Sequence, residues 1–561
     1  MNYKKYIASK LNIEGFSKEE IESFIILPPD TKMGDYALPC FRFAKIFRKA
    51  PQMIAEKLAS EFILDENIKK VSAINGYLNF TVNRNALVFN VLNEILNKGD
   101  DYASSTEGNG KTVVIDYSSI NIAKPFHIGH LSTTVIGGAL YRIYKKLGYN
   151  VVGVNHLGDY GTQFGKLIYA YKHWGNKQAV EEGRVKELMR LYVKYHEEAE
   201  KNPSMDDEAR AYFKKIEQND EECLQIFNWF KELTLLDVKR VYEQLDIHFD
   251  SYNGESFYND KMDVVIDELN EKGLLVESDG AKIVNLENYD MPPCLILRSD
   301  GASLYATRDL AAAYYRKKTY DFYKCLYVVA YQQNLHFKQI FKVLELLGKP
   351  WAKDMEHVAF GMVSLEEGTM STRKGNVVFL EDVIEKCNKK ALDIICQKNP
   401  DLEDKEQTAK AVGTGAVIFG ALYGGRIKDI VFSYDKVLSF EGETGPYCQY
   451  TYARCSSVLN KGGEIGDYSG YSEFNEDEYN LINALSQYPQ IVKSVIDKNE
   501  PSYVTRYACE LASLYNKFYF DCKILGTEDC VKNFRLALTK ATKTVLKNAL
   551  SLLGIKTPEK M

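Results

Sequence analysis

The sequence predicts an α/β protein with a parallel-sheet domain, a smaller mixed α+β unit before it and an all-helical unit after it. Between residues 111 and 385, short β-branched runs alternate with helical stretches, which is the pattern of βαβ units. Over residues 386–561, aromatic, Ala and Leu residues recur at helical spacing, which indicates a helix bundle. A polar, Gly- and Ser-containing segment separates residues 1–100 from the predicted sheet.

The composition is that of an ordinary globular protein. The chain has 561 residues, 45% hydrophobic and 26% charged, which is enough for several domains. It contains no apolar run of about 18 residues and no signal-peptide core, so we expect neither a membrane span nor secretion. Eleven cysteines without zinc-type spacing indicate free thiols in a reducing cytoplasm. The net charge of −6 disfavours a generic nucleic-acid binder but leaves a local basic groove open.

The first half of the parallel sheet is predicted from a strand–helix–strand pattern. Lys111–Tyr117 is β-rich, a helix is expected over His127–Leu147, and Gly148 suits the position after its last turn. Asn150–Asn155 is the second β-rich run. A charged helical insertion is expected at about 171–290, and strand–helix units resume after it. The pattern predicts a doubly wound nucleotide-binding fold that the insertion splits.

Two histidines stand at the start of that helix, in the sequence His127-Ile128-Gly129-His130. Their spacing places both on one face. Gly129 has no Cβ, so a flat base can approach the main chain, and the helix N-terminus offers N–H groups to a phosphate. A structural helix with two half-buried histidines is the alternative, and the position directly after a strand favours the nucleotide site.

A second phosphate-type segment, Thr369–Asn376, follows a late strand of the same fold. Its hydroxyls, its glycine and the adjacent cations Arg373 and Lys374 suit a pyrophosphate leaving group, because cations neutralise the charge that develops as the bond breaks. Alone, such a segment is most often a surface loop. Together with the histidine pair, it indicates nucleotide chemistry.

These motifs resemble those of class I aminoacyl-tRNA synthetases and, more narrowly, of arginyl-tRNA synthetases. His127–His130 matches the class His-x-Gly-His motif, and Thr369–Arg373 stands in place of the Lys-Met-Ser-Lys-Ser loop. Further blocks typical of the arginine enzymes are Asn155–Gly165, Ser299–Ala312, Gln332–Phe337 and Thr444–Tyr450. Pro558–Met561 resembles the family's usual end, so we expect a complete chain. The resemblance implies a Rossmann-like class I catalytic domain, an α+β N-terminal tRNA-contacting domain and an all-α C-terminal anticodon-binding bundle.

The resemblance also implies a pocket for arginine. A guanidinium is planar, always charged and carries five N–H donors, so a selective pocket needs carboxylates and a ring. By resemblance, Tyr305, Asp309 and Gln333 contact the arginine side chain; the first two are four residues apart and share one face if this stretch is helical. Asn121 and Asp116 hold the main-chain end, with Asp116 favouring the α-ammonium. An ordinary helix surface and a capping aspartate are the alternatives.

The chain departs from the class pattern at the phosphate loop. Both lysines of that loop are replaced, by Thr369 and Thr372. Another group must then supply positive charge to the triphosphate. Lys124, just before the histidine pair, is the expected cation, with Arg373 or Lys374 assisting; a solvated loop lysine is the alternative.

Two regions resemble the RNA-contacting parts of the family. Asn75, Tyr77 and Asn79 fall near positions that touch a D-loop base in some members, and stacking of an unpaired base on Tyr77 fits general RNA recognition. Tyr447 and Tyr450 are candidates for stacking on the anticodon loop, with buried core aromatics as the alternative.

The reaction that the resemblance implies is ATP-dependent joining of L-arginine to tRNA(Arg) through arginyl-adenylate, with release of pyrophosphate and AMP. The arginine carboxylate is itself the nucleophile, so catalysis requires positioning and charge stabilisation rather than a general base. The residues expected to contact ATP are His127, Gly129, His130, Met370, Ser371 and Lys374. Mg²⁺ is expected on the phosphates without a dedicated protein site. We expect a cytoplasmic monomer that has no membrane partner.

Two other interpretations remain at this point. A class I synthetase for another amino acid, or a small-molecule nucleotidyltransferase, would share the histidine motif. The Tyr305 and Asp309 block disfavours the former, and the long helical bundle disfavours the latter. A non-catalytic RNA-binding relative would be expected to lack the histidine pair or the phosphate loop, and the sequence retains both.

Overall fold

The computed structural model describes residues 3–28, 33–298, 305–365 and 378–561. The chain divides into two compact units. The first unit joins the N-terminal region to parts of the last helices and comprises residues 1–102, 454–489 and 510–548. The second unit comprises residues 103–453, 490–509 and 549–561.

The first unit begins with a small antiparallel sheet flanked by helices. Its elements are α1 (Tyr3–Lys10), α2 (Lys18–Phe24), β1 (Tyr36–Pro39), α3 (Ala44–Phe47), α4 (Pro51–Glu61), β2 (Ile68–Ile74), β3 (Tyr77–Val82) and α5 (Arg84–Lys98). The strand order is β1-β3-β2. Asn75 and Gly76 form the β2–β3 turn with φ of 51° and 79°, the left-handed conformations that a two-residue hairpin turn requires.

The second unit contains the parallel sheet that the sequence predicts. Its strands are β4 (Thr112–Asp116), β5 (Asn150–Val154), β9 (Lys324–Tyr327) and β10 (Met355–His357), in the order β10-β9-β4-β5. Every pairing in it is parallel. Asp116 ends the central strand β4 opposite Val154 on one side and Tyr327 on the other, so it lies at the carboxyl edge where ligands bind in such sheets.

The insertion between β5 and β9 is helical only in its first part. That part consists of α7 (Thr162–Trp174), α8 (Lys177–Lys201), α9 (Met205–Glu217), α10 (Glu221–Gln244) and α11 (Asp263–Glu271). An antiparallel sheet of β6 (Leu275–Ser278), β7 (Ala281–Val284) and β8 (Cys294–Leu297) follows. The expectation of a helical insertion to residue 290 is therefore wrong at its end. Asp279 and Gly280, with φ of 49° and 78°, close a β6–β7 hairpin of the Asp-Gly type. This hairpin was not predicted from the sequence.

Helices cover the sheet and continue into the C-terminal region. They are α6 (Leu131–Lys146), α12 (Tyr305–Tyr320), α13 (Asn334–Leu346), α14 (Leu380–Lys398), α15 (Lys405–Tyr423), α16 (Tyr434–Val437), α17 (Gly445–Gly462), α18 (Glu476–Lys498), α19 (Ser502–Asp521) and α20 (Asp529–Leu552). The predicted helix bundle is thus present. One short strand inside this region, β12 (Ile430–Phe432), pairs in parallel with β11 (Val363–Leu365) and was not expected. Among the helices in the described ranges, none is long and apolar enough to cross a membrane.

Candidate active site

The histidine pair is held by its own backbone at the entrance of α6. The Gly129 N–H donates to His127 Nδ1 at 3.1 Å, and the His127 N–H donates to His130 Nδ1 at 3.2 Å. Because both Nδ1 atoms accept, each neutral imidazole carries its proton on Nε2. The ring centroids are 4.0 Å apart. The motif therefore presents two neighbouring Nε2–H donors, which suit phosphate oxygens.

Both imidazoles are neutral at physiological pH. Burial and the nearby Lys124 charge lower the pKa of His127 to about 4. Burial, His127 and Lys124 together lower the pKa of His130 to about 3. The histidines thus offer hydrogen bonds to phosphate, while Lys124 is the fixed positive charge beside them.

The chain that follows the phosphate loop is hydrogen-bonded to the histidine segment. The Ile128 N–H donates to the Val378 carbonyl at 3.2 Å, and the Leu380 N–H donates to the Phe126 carbonyl at 2.9 Å. The predicted loop residues Met370, Ser371, Arg373 and Lys374 lie outside the described residues. The segment from residue 378 onward therefore lies against the backbone of the histidine motif.

Asp116 is engaged in a buried ion pair. Its Oδ2 lies 2.7 Å from Arg316 Nη2 of α12, and the two side chains are 6% and 1% exposed. Its Oδ1 accepts a hydrogen bond from Ser119 Oγ at 2.7 Å. Burial lowers the pKa of the Arg316 guanidinium, but the Asp116 charge raises it, and the net pKa is well above its usual value. Both Asp116 oxygens thus already have a partner.

Asn121 lies against the backbone of the block that follows β5. The Ile122 N–H donates to the Gly158 carbonyl at 3.1 Å, and the Gly158 N–H donates to the Ile120 carbonyl at 2.8 Å. A Cβ on Gly158 would come within 2.3 Å of Asn121 Oδ1. Glycine at this position therefore allows the Asn121 amide to approach the main chain.

Tyr305 and Asp309 lie on α12, as the spacing predicts. Asp309 Oδ2 accepts a hydrogen bond from His336 Nε2 at 2.6 Å, and its Oδ1 lies 3.9 Å from His156 Nε2. Burial raises the pKa of Asp309, but the His336 hydrogen bond and the charges of both histidines and Arg316 outweigh it and lower the pKa. Asp309 is thus an ionised carboxylate in a fixed orientation. The Tyr305 side chain is 62% exposed at the first residue of the helix.

Glu255 is a second acidic group near Asp309, and it was missed in the sequence. Burial and the Asp309 charge raise its pKa to about 7, against a lowering effect of Arg308. Its Oε2 is buried and has no hydrogen-bond partner among the described residues. Its N–H donates to the Leu157 carbonyl at 2.9 Å. No periodicity marks this residue, since it lies in a 3₁₀ segment of the insertion far along the chain from α12.

The remaining predicted residues differ in accessibility. Gln333 is exposed and precedes the first residue of α13. Asn75 is exposed and Tyr77 is half-buried, whereas Asn79 is only 1% exposed, so its amide does not reach the surface. Tyr447 is half-buried and Tyr450 is 40% exposed. Within the described ranges, no group of three or more His, Cys, Asp or Glu side chains could hold a metal ion.

Three family models match the chain along most of its length. "Arginyl tRNA synthetase N terminal domain" matches residues 1–82, "tRNA synthetases class I (R), catalytic domain" matches residues 91–434, and "DALR anticodon binding domain" matches residues 448–561. The chain belongs to the arginyl-tRNA synthetase family. This assignment confirms the family and the class I fold expected from the sequence.

Curated relatives and solved structures of this family match nearly the full length of the chain. The arginine–tRNA ligase of Alkaliphilus metalliredigens is 54% identical over 98% of this chain and 97% of its own length. That of Halothermothrix orenii is 55% identical over 98% and 97%. The structure of Thermus thermophilus arginyl-tRNA synthetase matches with a TM-score of 0.83 and 27% identity, covering 96% of each chain. The Plasmodium falciparum arginyl-tRNA synthetase structure matches with a TM-score of 0.77 and 26% identity, covering 96% of this chain and 94% of that one.

Proposed function

We propose that this chain ligates L-arginine to tRNA(Arg) through arginyl-adenylate, using ATP and releasing pyrophosphate and AMP. The observation that carries the proposal is a chain of contacts at the carboxyl edge of the sheet. Asp116 at the end of β4 pairs with Arg316, Arg316 Nη2 lies 3.4 Å from His156 Nδ1, and His156 faces Asp309. The contacts connect the strand that precedes the histidine motif to an acidic pocket suited to a guanidinium.

In the first step, a carboxylate oxygen of arginine attacks the α-phosphorus of ATP. The new O–P bond forms as the bond to the bridging oxygen breaks, and pyrophosphate leaves with that electron pair. His127 and His130 donate their Nε2–H groups to phosphate oxygens, and Lys124, Arg373 and Lys374 stabilise the leaving group. The enzyme needs no proton transfer in this step, which agrees with two histidines that are already neutral.

The arginine side chain enters the pocket of Asp309, Glu255 and Tyr305. Asp309 is fixed by His336 and remains ionised, so it offers a preorganised acceptor to the guanidinium. Glu255 supplies the second carboxylate. Tyr305 and Gln333, which are both exposed, are assigned to the solvent side of the pocket. Asn121 holds the main-chain end of arginine, where Asp116 contributes negative charge toward the α-ammonium.

In the second step, the 2′-OH of the terminal tRNA adenosine attacks the carbonyl carbon of the adenylate, and AMP leaves. We assign RNA contacts to the members of the predicted set that are exposed or half-buried, Asn75 and Tyr77 in the first unit and Tyr447 and Tyr450 in the second. Asn79 is buried within β3, opposite Ser72 of β2, and is not assigned an RNA contact. The family model for anticodon binding over residues 448–561 supports the assignment of Tyr450, and Tyr447 directly precedes the matched range.

ATP is the nucleotide substrate, and Mg²⁺ would bind to its phosphates. We propose a cytoplasmic monomer; its eleven free cysteines support a reducing compartment. The test is arginine-dependent exchange of labelled pyrophosphate into ATP in the presence of tRNA(Arg), with lysine and citrulline as competing substrates. Exchange is expected with arginine but not with lysine or citrulline, because lysine lacks the planar guanidinium and citrulline lacks its positive charge. Equal exchange with lysine or citrulline would contradict the assigned pocket.

A further inference from the structure

A cavity of about 320 Å³ lies beside the histidine motif, between the insertion and the segment that follows the phosphate loop. Its lining joins four parts of the second unit that are distant in the chain, one of which is α10 with Asp237 and Arg240. Lys124 and Phe126 come from the segment before the histidines, Arg184 and Lys186 come from α8, and Phe379 follows the phosphate loop. The insertion thus contributes directly to the surroundings of the nucleotide site.

The acidic residues that line this cavity are engaged by other groups. Asp237 Oδ1 lies 2.9 Å from Arg184 Nη1, and Glu381 Oε2 lies 3.4 Å from Arg240 Nη2. Glu182 accepts a hydrogen bond from Gln178 at 3.0 Å. The lining carries four cationic side chains and three carboxylates, two of which pair with its own arginines, so its formal charge is +1.

Lys186 is the lysine that the insertion contributes to the lining of this cavity. Its Nζ lies 5.4 Å from the centroid of the Phe379 ring, and no carboxylate lies within ion-pair distance among the described residues. Phe379 pairs with His127 through an antiparallel backbone bridge. The ammonium of Lys186 therefore stands over a residue whose backbone is joined to the histidine motif.

A break in α8 shapes the part of the cavity wall that carries Lys186. Arg184 has φ of 45° and ψ of −126°, a conformation that interrupts the helix. The Val185 N–H, at the start of the next helical segment, donates to Asp237 Oδ2 at 3.4 Å, while the Arg184 side chain pairs with the same carboxylate. A non-glycine residue keeps such a conformation only where its surroundings impose it, and here Asp237 of α10 provides both contacts. The segment that carries Lys186 is thereby held toward the cavity.

We propose that this cavity receives the β- and γ-phosphates of ATP and the pyrophosphate they become, with Lys186 of the insertion as an additional cation for the leaving group. The inference rests on the proposed function. It follows from the lysine-poor phosphate loop, in which Thr369 and Thr372 replace the class lysines. A polyphosphate that extends from the histidines toward Lys124 enters the cavity in which Lys186 is the next ammonium. Lys186 of the insertion thus supplies part of the positive charge that the two class lysines would provide.

The test is pyrophosphate exchange by the full-length enzyme with tRNA(Arg) and saturating arginine, at varied pyrophosphate concentration. For Lys186→Gln we expect the KM for pyrophosphate to rise about fivefold, the size of one solvent-screened charge contact. Lys186→Glu should raise it further, and Lys186→Arg should restore a value near wild type. The KM for arginine, measured in a second series with varied arginine and saturating pyrophosphate, should be unchanged in all three variants. Lys177→Gln is the matched control, because Lys177 is an exposed lysine of the same helix whose partner is Glu181, 3.8 Å away.

A wild-type KM for pyrophosphate in Lys186→Gln would overturn the inference. So would an equal rise in the KM for arginine, since a structural defect affects both substrates. Failure of the wild-type enzyme to exchange pyrophosphate with arginine would instead contradict the proposed function, so the two failures are distinguishable. A Lys177→Gln variant that behaves like Lys186→Gln would show a general charge effect of the helix, which also overturns the inference.

Discussion

Replacing Asp116 by Asn should destabilise the catalytic unit strongly, because it leaves the Arg316 guanidinium buried without its counter-charge. Arg316 is 1% exposed, and Asp116 Oδ2 at 2.7 Å is its ion-pair partner. Its Nε and Nη1 atoms have no hydrogen-bond partner among the described residues. The Nη2 contact with His156 at 3.4 Å supplies no counter-charge, since an imidazole is either neutral or cationic. Asp116 is thus the carboxylate in direct contact with the Arg316 guanidinium.

The size of the effect follows from that geometry. Breaking a buried ion pair by removing one partner costs about 3–5 kcal/mol. The unfolding entropy of about 2.1 cal/mol/K per residue gives about 0.8 kcal/mol/K for the second unit, which has 384 residues. Asp116→Asn should therefore lower the thermal midpoint of this unit by about 4–6 °C. The double variant Asp116→Leu/Arg316→Met removes both charges and should regain most of that loss, because an apolar pair avoids the desolvation cost.

The assay is thermal unfolding followed by circular dichroism, with urea denaturation as a second measure. Asp321→Asn is the matched control: Asp321 is 89% exposed and pairs with Lys317 of the same helix at 2.6 Å. This surface pair should change the stability by less than about 1 kcal/mol. An Asp116→Asn midpoint within 1–2 °C of wild type, or a double variant as unstable as the single one, would refute the reasoning.

Four further predictions concern the substrates. Lys124→Ala should lower kcat far more than it raises the KM for ATP, because the lysine acts on the leaving group; a near-normal kcat in steady-state charging would exclude that role. Asp309→Asn should raise the KM for arginine by about 100-fold, since it removes a charge-assisted contact of about 2–3 kcal/mol, and should weaken discrimination against lysine, as competition assays would measure. Wild-type kcat/KM for arginine should fall as the pH drops below about 7, because protonation of Glu255 removes a guanidinium partner, and Glu255→Gln should flatten that profile. The profile of kcat/KM for ATP should have no inflection near 6.5, because His127 and His130 lose their protons at about 4 and 3.

Sequence reasoning succeeded where a pattern repeats over many residues. The strand that ends at Asp116, the helix after the histidine pair and the helix over Asn334–Leu346 follow from periodicity alone. The hairpin around Asp279 was missed, because two four-residue strands in a charged stretch give little periodic signal. The three-residue strand β12 is shorter still, and its pairing partner lies far along the chain.

The candidate site was predictable in its residue types and much less in its contacts. The family resemblance assigns Asp309 to the arginine pocket, but the sequence does not predict that His336 donates a hydrogen bond to one of its carboxylate oxygens. It places Asp116 at the strand end, but not against Arg316, because an ion pair between a strand and a helix 200 positions further on leaves no local pattern. Glu255 reaches the pocket from the insertion, where tertiary packing rather than spacing determines its position.

These contacts explain how a chain without the class lysines can still handle a polyphosphate. The histidines remain neutral because burial and Lys124 lower their pKa values, so the positive charge near the nucleotide comes from lysines and arginines. If Lys186 provides part of that charge, the insertion becomes part of the nucleotide site rather than an appendage to the sheet. Its position is then set by Asp237, which holds the break at Arg184 by two contacts. The orientation of one aspartate on α10 would therefore influence the release of pyrophosphate.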